Sequence, residues 1–400
     1  MNPFRHRRAA GFSLIELMVS IVVGLLALVF ATRLFANSEQ SKATTIGSSD
    51  AMQNGMQALF SIAQDGMQSG WGLNDNVVGG CDTVFSDDKG YVLPKVTRSD
   101  VGEITPMAAA VIESHGAESD TITFMSGSSP TATGSLGIAE VVAAGGSSLV
   151  VDKPAFTFRK DDVVLIAPNV GNGATPRCAL MQLAADPVLV SGRDNLNLTS
   201  SSSTRFNRGS GIGQAYAANE ARVFNLGPAD TLAFKTWSVD KGFLQLRSTN
   251  LAGATKAPQT VIDNVVSLKA QYGFDTRAGA ALKDGMVVGK WSASMENADN
   301  AGATGDPGDF QRIAALRVAV VARSKVPDKP YDASGKCKTT LEMPTVFKEE
   351  SPEGVTAVPI QVNVQVAGDS IHWTCYRYRV FETFVPMRNM AWRPNPGKAS

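Results

Sequence analysis

The sequence predicts an α+β fold: a long N-terminal α-helix, half membrane-spanning and half amphipathic, packed on a mainly antiparallel β-sheet head. Three observations predict it. An apolar run without charge covers residues 17–32. Apolar residues then recur at helical spacing to about residue 68. Beyond that, short β-rich runs are separated by Gly, Pro, Asn, Asp and Ser, with no helical pattern between them. A chain of 400 residues with 44% hydrophobic content and a formal net charge of +0 can bury a core and is not a disordered sequence. Lys+Arg and Asp+Glu both number 37, which excludes a general nucleic-acid coat, because counterion release requires a cationic surplus.

The helix begins behind a basic patch, Arg5, His6, Arg7 and Arg8, and residues 12–32 contain a single ionisable side chain, Glu16. At about 1.5 Å per residue this run is long enough to cross a bilayer. The positive-inside rule places everything after Arg33 on the outer side of an inner membrane. A secretory signal peptide would need a small-x-small site after the run, and Leu34-Phe35-Ala36 fits that poorly. A plain anchor leaves Glu16 unexplained. An acidic group at mid-membrane costs about 2.5–3.5 kcal/mol, and less near an end, so a positive partner at the same depth is expected.

The segment Gly11-Phe12-Ser13-Leu14-Ile15-Glu16-Leu17-Met18-Val19-Ser20 resembles the class III signal of type IV pilins and type II secretion pseudopilins. The resemblance implies a pilin-like fold, with residues 1–11 a leader cleaved between Gly11 and Phe12 by a prepilin peptidase. It also implies methylation of the new Phe12 amine. Glu16 would then meet the terminal amine of a neighbouring subunit, a buried charge that sets assembly register rather than bulk stability. Loss of the leader leaves 34 basic and 37 acidic residues.

Residues 12–35 are expected to form the transmembrane and assembly helix, 36–68 its amphipathic continuation, and 69–400 a periplasmic β-rich head. In the continuation Ile46, Met52, Met56, Leu59, Phe60, Ala63 and Met67 form the apolar stripe expected to pack on the head. Gly24, Gly47, Gly55 and Gly66 are points of weak helix propensity, and Gly70-Trp71-Gly72 ends the helix. The clearest strand candidates are 121–125, 148–152, 162–167, 188–191, 221–226, 231–239, 243–247, 266–274, 316–323, 359–366 and 371–384. In the last of these Tyr376, Tyr378, Val380 and Glu382 share one face, with Arg377, Arg379, Phe381 and Thr383 on the other. That alternation suits a strand that packs on one side and meets partners on the other. Segments 261–276, 312–324 and 375–392 are similar to PilW-type minor pilins, and J-type minor pseudopilins share them in part.

Cys81, Cys178, Cys337 and Cys375 lack zinc spacing, and three disulfide pairings are open outside a reducing compartment. Nearness in sequence favours Cys81 with Cys178 and Cys337 with Cys375. Four buried thiols are the alternative.

The chain contains no G-x-S-x-G, H-E-x-x-H or P-loop motif. Gly209-Ser-Gly-Ile-Gly213 lacks the third glycine and the flanking elements of a phosphate cradle. Asn297, Asp299 and Gly302 sketch the start of a calcium loop, yet Ala301 and Gly308 occupy ligand positions. His115 and His372 read as ordinary surface or core residues. No metal, cofactor or enzymatic activity is expected.

The resemblance implies a minor pilin that helps initiate type IV pilus assembly at or near the tip and supports pilus biogenesis and twitching motility. The partners it implies are the prepilin peptidase, other minor pilins, the major pilin, inner-membrane lipid and the pilus assembly machinery, with no nucleic acid established. A J-type pseudopilin of a type II secretion system, or a tip adhesin or DNA-uptake module, are the alternatives.

Overall fold

The computed structural model describes residues 13–131, 134–169, 177–277, 285–331 and 333–391. A single helix, α1 (Leu14–Gln68), runs for 55 residues, about 82 Å at 1.5 Å per residue. Its end is set by local chemistry. The Ser69 hydroxyl donates to the Gly66 carbonyl at 2.7 Å, and Gly70 turns the chain at φ +84, a conformation that costs a residue with a side chain far more than glycine. The first 23 residues, Leu14–Ala36, are apolar apart from a few polar side chains, with Glu16 and Arg33 the only charged ones, and are exposed along their whole length.

Beyond the span the helix docks on the head through its smallest side chains. Gly47, Ala51, Gly55, Ala58, Ile62 and Gly66 are buried. A Cβ added at Gly55 would lie 2.1 Å from the Phe381 ring, and one at Gly66 would lie 2.5 Å from Val385. The expectation that Met52, Met56, Phe60 and Met67 face the core is therefore corrected. All four are exposed, Phe60 by 67%. Both stripes obey helical spacing, but only the small-residue one allows the close approach that maximises contact with a flat sheet. Leu59 and Ala63, at the border, pack partly against the core.

Three main sheets build the head, and all but one of their strand pairs are antiparallel. A four-stranded sheet lies against the helix in the order Lys290–Ser292, Val265–Phe274, Ile313–Arg323, Tyr378–Pro386. A five-stranded sheet is ordered Gln259–Asp263, Phe243–Ser248, Ala233–Asp240, Thr121–Ser126, Ala110–Glu113. A six-stranded sheet lies past the C-terminal end of the helix, where Asp75 pairs with Arg222 at 2.9 Å, and its pairing of Cys81–Val84 with Cys178–Gln182 is the parallel exception. A large shared core joins the helix to all three sheets, and a second core fills the region around Ile138, Leu149, Val164, Met181 and Leu196.

Two expected strands shrink. Of 359–366 only Ile360–Gln361 is strand. The segment before Tyr378 forms a 3₁₀ turn, Trp373–Cys375, because the His372 side chain accepts from the Thr374 N–H and the Cys337–Cys375 bond holds the turn in place. The last strand keeps the expected alternation of faces. Phe381 and Val385 meet the helix, whereas Val380, Glu382 and Phe384 on the other face remain exposed, with Glu382 and Phe384 beside Arg317.

Candidate functional site

Gly11 and Phe12 lie outside the described residues. Glu16 stands in the first turn of α1 among exposed apolar neighbours, Leu14, Ile15 and Leu17. A carboxylate there complements the helix N-terminus, whose free N–H groups carry partial positive charge. Among the described residues it has no ion-pair partner.

The outer half of the helix presents an unusual surface. From residue 51 to residue 64 it carries no charge. Met52, Met56, Phe60 and Met67 form an exposed apolar stripe, with exposed Gln53, Gln57 and Gln64 alongside. A helix that faces only water normally sets charged residues opposite its buried face. Asp65, which ends the uncharged stretch, turns inward to the Lys235 ammonium at 2.6 Å and the Trp237 indole N–H at 2.9 Å.

The four cysteines form two disulfides, Cys81 to Cys178 and Cys337 to Cys375, with 97 and 38 residues of separation. The first ties the strand that follows the helix to the middle of the six-stranded sheet. The second closes the connection between the last two long strands of the four-stranded sheet.

Three polar clusters could be mistaken for chemistry. Lys269 and Asp120 are fully buried as an ion pair of 2.5 Å, and the ammonium also donates to the Gly116 and Glu118 carbonyls. Such a satisfied pair pins the 116–120 turn. Arg323 and His372 border a shallow cleft of about 170 Å³, but the guanidinium is neutralised by Asp369 at 2.6 Å. Asp299, Asp306 and Asp309 bring carboxylate oxygens within 4.8 Å of one another, a convergence hidden in the sequence because Asp306 and Asp309 fall off the calcium-loop spacing. Those oxygens already serve the loop: Asp309 accepts from the N–H groups of Ala298 at 2.6 Å and Gly305 at 2.8 Å, and Asp299 accepts from Ala301 at 2.8 Å. Asn297 instead donates to the Gly302 carbonyl.

Burial pushes the Asp309 carboxyl up to about 6 against those backbone donors, with the Asp306 charge adding to the rise. A carboxyl whose folded pKa is raised binds its proton more tightly when folded, so its contribution to stability falls as pH rises from the unfolded value of about 4 through 6. The melting-temperature gap between the unmodified chain and Asp309→Asn is expected to widen in favour of the former as pH falls from about 7 to 5. A gap flat across that window would remove the assignment.

His115 and His372 make only local contacts, to the Ser119 carbonyl and the Thr374 hydroxyl.

Residues 236–389 match the family described as Type IV Pilus-assembly protein W. The chain carries a PilW-type region. That region contains most of the five-stranded sheet's final hairpin, the whole four-stranded sheet, the Cys337–Cys375 loop and the Asp299 cluster, whereas the six-stranded sheet and Cys81–Cys178 precede it. Residues 6–32 match the prokaryotic N-terminal methylation motif, which spans Glu16 and most of the apolar run. Comparison with curated proteins gives no match. Among solved structures the chain is similar to a type IV-like pilin, TTHA1219 from Thermus thermophilus, at 11% identity over 58% of this chain and 86% of that one. The TM-score is 0.22, too low to carry an argument. The PilW-type region and the methylation motif support a pilus-related structural role, anchoring through one helix, and interaction with a prepilin peptidase and pilus assembly components.

Proposed function

We propose that this chain is a minor pilin that helps initiate type IV pilus assembly, sits at or near the pilus tip, and supports pilus biogenesis and twitching motility. The observation that carries the reading is the prepilin-type segment with Glu16 at the head of an exposed apolar span, joined to a PilW-type region in one chain. In this reading residues 1–11 are removed between Gly11 and Phe12 and the Phe12 amine is methylated. Residues 12–35 form the assembly helix, 36–68 continue it, and 69–400 form a head in the periplasm. Glu16 pairs with the terminal amine of a neighbouring subunit, and the Met52, Met56, Phe60 and Met67 stripe is covered by adjoining helices. A head of this bulk is sterically easiest at an end of a filament. The PilW match favours a pilus over a J-type secretion pseudopilus, a tip adhesin or a DNA-uptake module.

Mass spectrometry of the mature protein is expected to find an N-methylated Phe12 as the first residue. A chain that still begins at Met1, or begins beyond Ala36, removes the reading. Glu16→Ala is expected to be processed normally yet to be nearly absent from sheared pili. Normal incorporation of that variant would contradict the pairing.

A further inference from the structure

The disulfide-closed loop at the lower end of the head carries a charge pattern that the pilin reading does not use. Its position follows from strand directions. Tyr378–Pro386 runs with the helix, since Phe381 lies by Gly55 and Val385 by Gly66. Ile313–Arg323 runs antiparallel to it and so descends toward the apolar span. It delivers Ser324, Lys325 and Val326 against Gly47, which lies about 16 Å above Ala36 at the helical rise per residue. The chain then continues through 327–342 before returning to Cys375.

This loop is tethered at several points and exposes four lysines. Cys337–Cys375, the Asp328 N–H to the Cys375 carbonyl at 2.7 Å and the Cys337 N–H to the Thr374 hydroxyl at 3.0 Å hold it in place. Lys325, Lys329, Lys336 and Lys338 are exposed, and among the described residues none has a carboxylate partner. Of the acidic residues in the same stretch, Asp328 is taken by Arg377 at 3.0 Å, Glu342 is exposed, and Asp332 lies outside the described residues. Beside the lysines stand Tyr331, 69% exposed with the Lys338 ammonium 3.7 Å over its ring, and Leu341, 76% exposed. Ammonium groups interleaved with an aromatic and an aliphatic side chain are the composition of a surface that settles at a lipid headgroup layer.

We propose that this loop docks on anionic phospholipid headgroups of the leaflet from which α1 emerges. The lysines would meet phosphate oxygens while Tyr331 and Leu341 enter the interfacial layer. The occupant is argued from charge and from place: four exposed lysines sit on the loop that follows Ser324–Val326, which pack on Gly47 about 16 Å above Ala36. Each cation near such a surface strengthens attraction about fivefold, and salt weakens it. The inference rests on anchoring through the one helix, and it holds whether or not the anchored chain later enters a pilus.

The test uses the full chain in lipid nanodiscs of phosphatidylcholine alone or mixed with phosphatidylglycerol, with lysine acetylation followed by mass spectrometry. In the anionic discs Lys325, Lys329, Lys336 and Lys338 are expected to react more slowly by about threefold or more. Lys153 and Lys160, on the far region of the head, should be unaffected, and high salt should abolish the difference. Equal rates in the two discs overturn the proposal. So does equal protection by inorganic phosphate added to phosphatidylcholine discs, which would make the loop a free-anion site. Lys329→Gln, Lys336→Gln and Lys338→Gln together should also remove the protection of Lys325, and its persistence counts against the loop. Hydrogen exchange over 14–36 in the same discs reports separately on insertion, so failure of the anchor and failure of the loop give different results.

Discussion

Replacing Cys81 and Cys178 together by serine is expected to destabilise the head by about 4–5 kcal/mol. The bond closes a loop of 97 residues, and chain-entropy bookkeeping gives about 4.7 kcal/mol for a loop of 100. The serine hydroxyls would also be left where Cys81 is only 7% exposed and Cys178 is fully buried. Against a typical domain stability of about 5–15 kcal/mol, this should bring much of the head close to its unfolding midpoint. The same change at Cys337 and Cys375, closing 38 residues, is expected to cost about 4 kcal/mol or less. Urea unfolding of the detergent-solubilised chain measures both. A loss below about 1 kcal/mol for the first pair would show that its strands hold together without the bond.

Gly66→Leu is expected to cost about 2 kcal/mol, even though leucine is the better helix former by close to 1 kcal/mol. An added Cβ would sit 2.5 Å from Val385 and 3.0 Å from the Phe124 ring. Both neighbours are buried and cannot swing into solvent, so the helix itself must lift from the sheet. Met56→Leu, on the exposed stripe, is the control and should stay within about 0.5 kcal/mol of the unmodified chain. If Gly66→Leu melts with the control, the close approach of helix to sheet is not what fixes their docking.

The helix carries two candidate stripes for its buried face. Helical spacing identified a helix ending at Gln68, but it cannot say which of two stripes faces inward. By transfer free energy the methionine and phenylalanine stripe is the better candidate for the core face, since burying it removes more apolar surface from water. The fold instead buries Gly47, Gly55 and Gly66, whose missing side chains let Phe381 and Val385 approach the helix backbone. A signal was present in the sequence, since three glycines spaced on one helical face weaken a helix without benefit unless something packs closely there. The Asp299 cluster was half legible for a similar reason. Its loop spacing is irregular, and only the chain turn that brings Asp306 and Asp309 back reveals the convergence.

The sequence alone determined the features that depend on near neighbours along the chain. These are the apolar span, the single carboxylate within it, the unbroken helix and the alternation of the long strands, all set by local spacing and the cost of exposing or burying particular groups. The tertiary structure decided which helix face is covered, which cysteines are bonded, and that a lysine-bearing loop lies on the side of the head nearest the span. Those outcomes depend on contacts between residues tens to hundreds of positions apart, whose free energy is set by shape and approach distance rather than by any pattern readable along one stretch of chain.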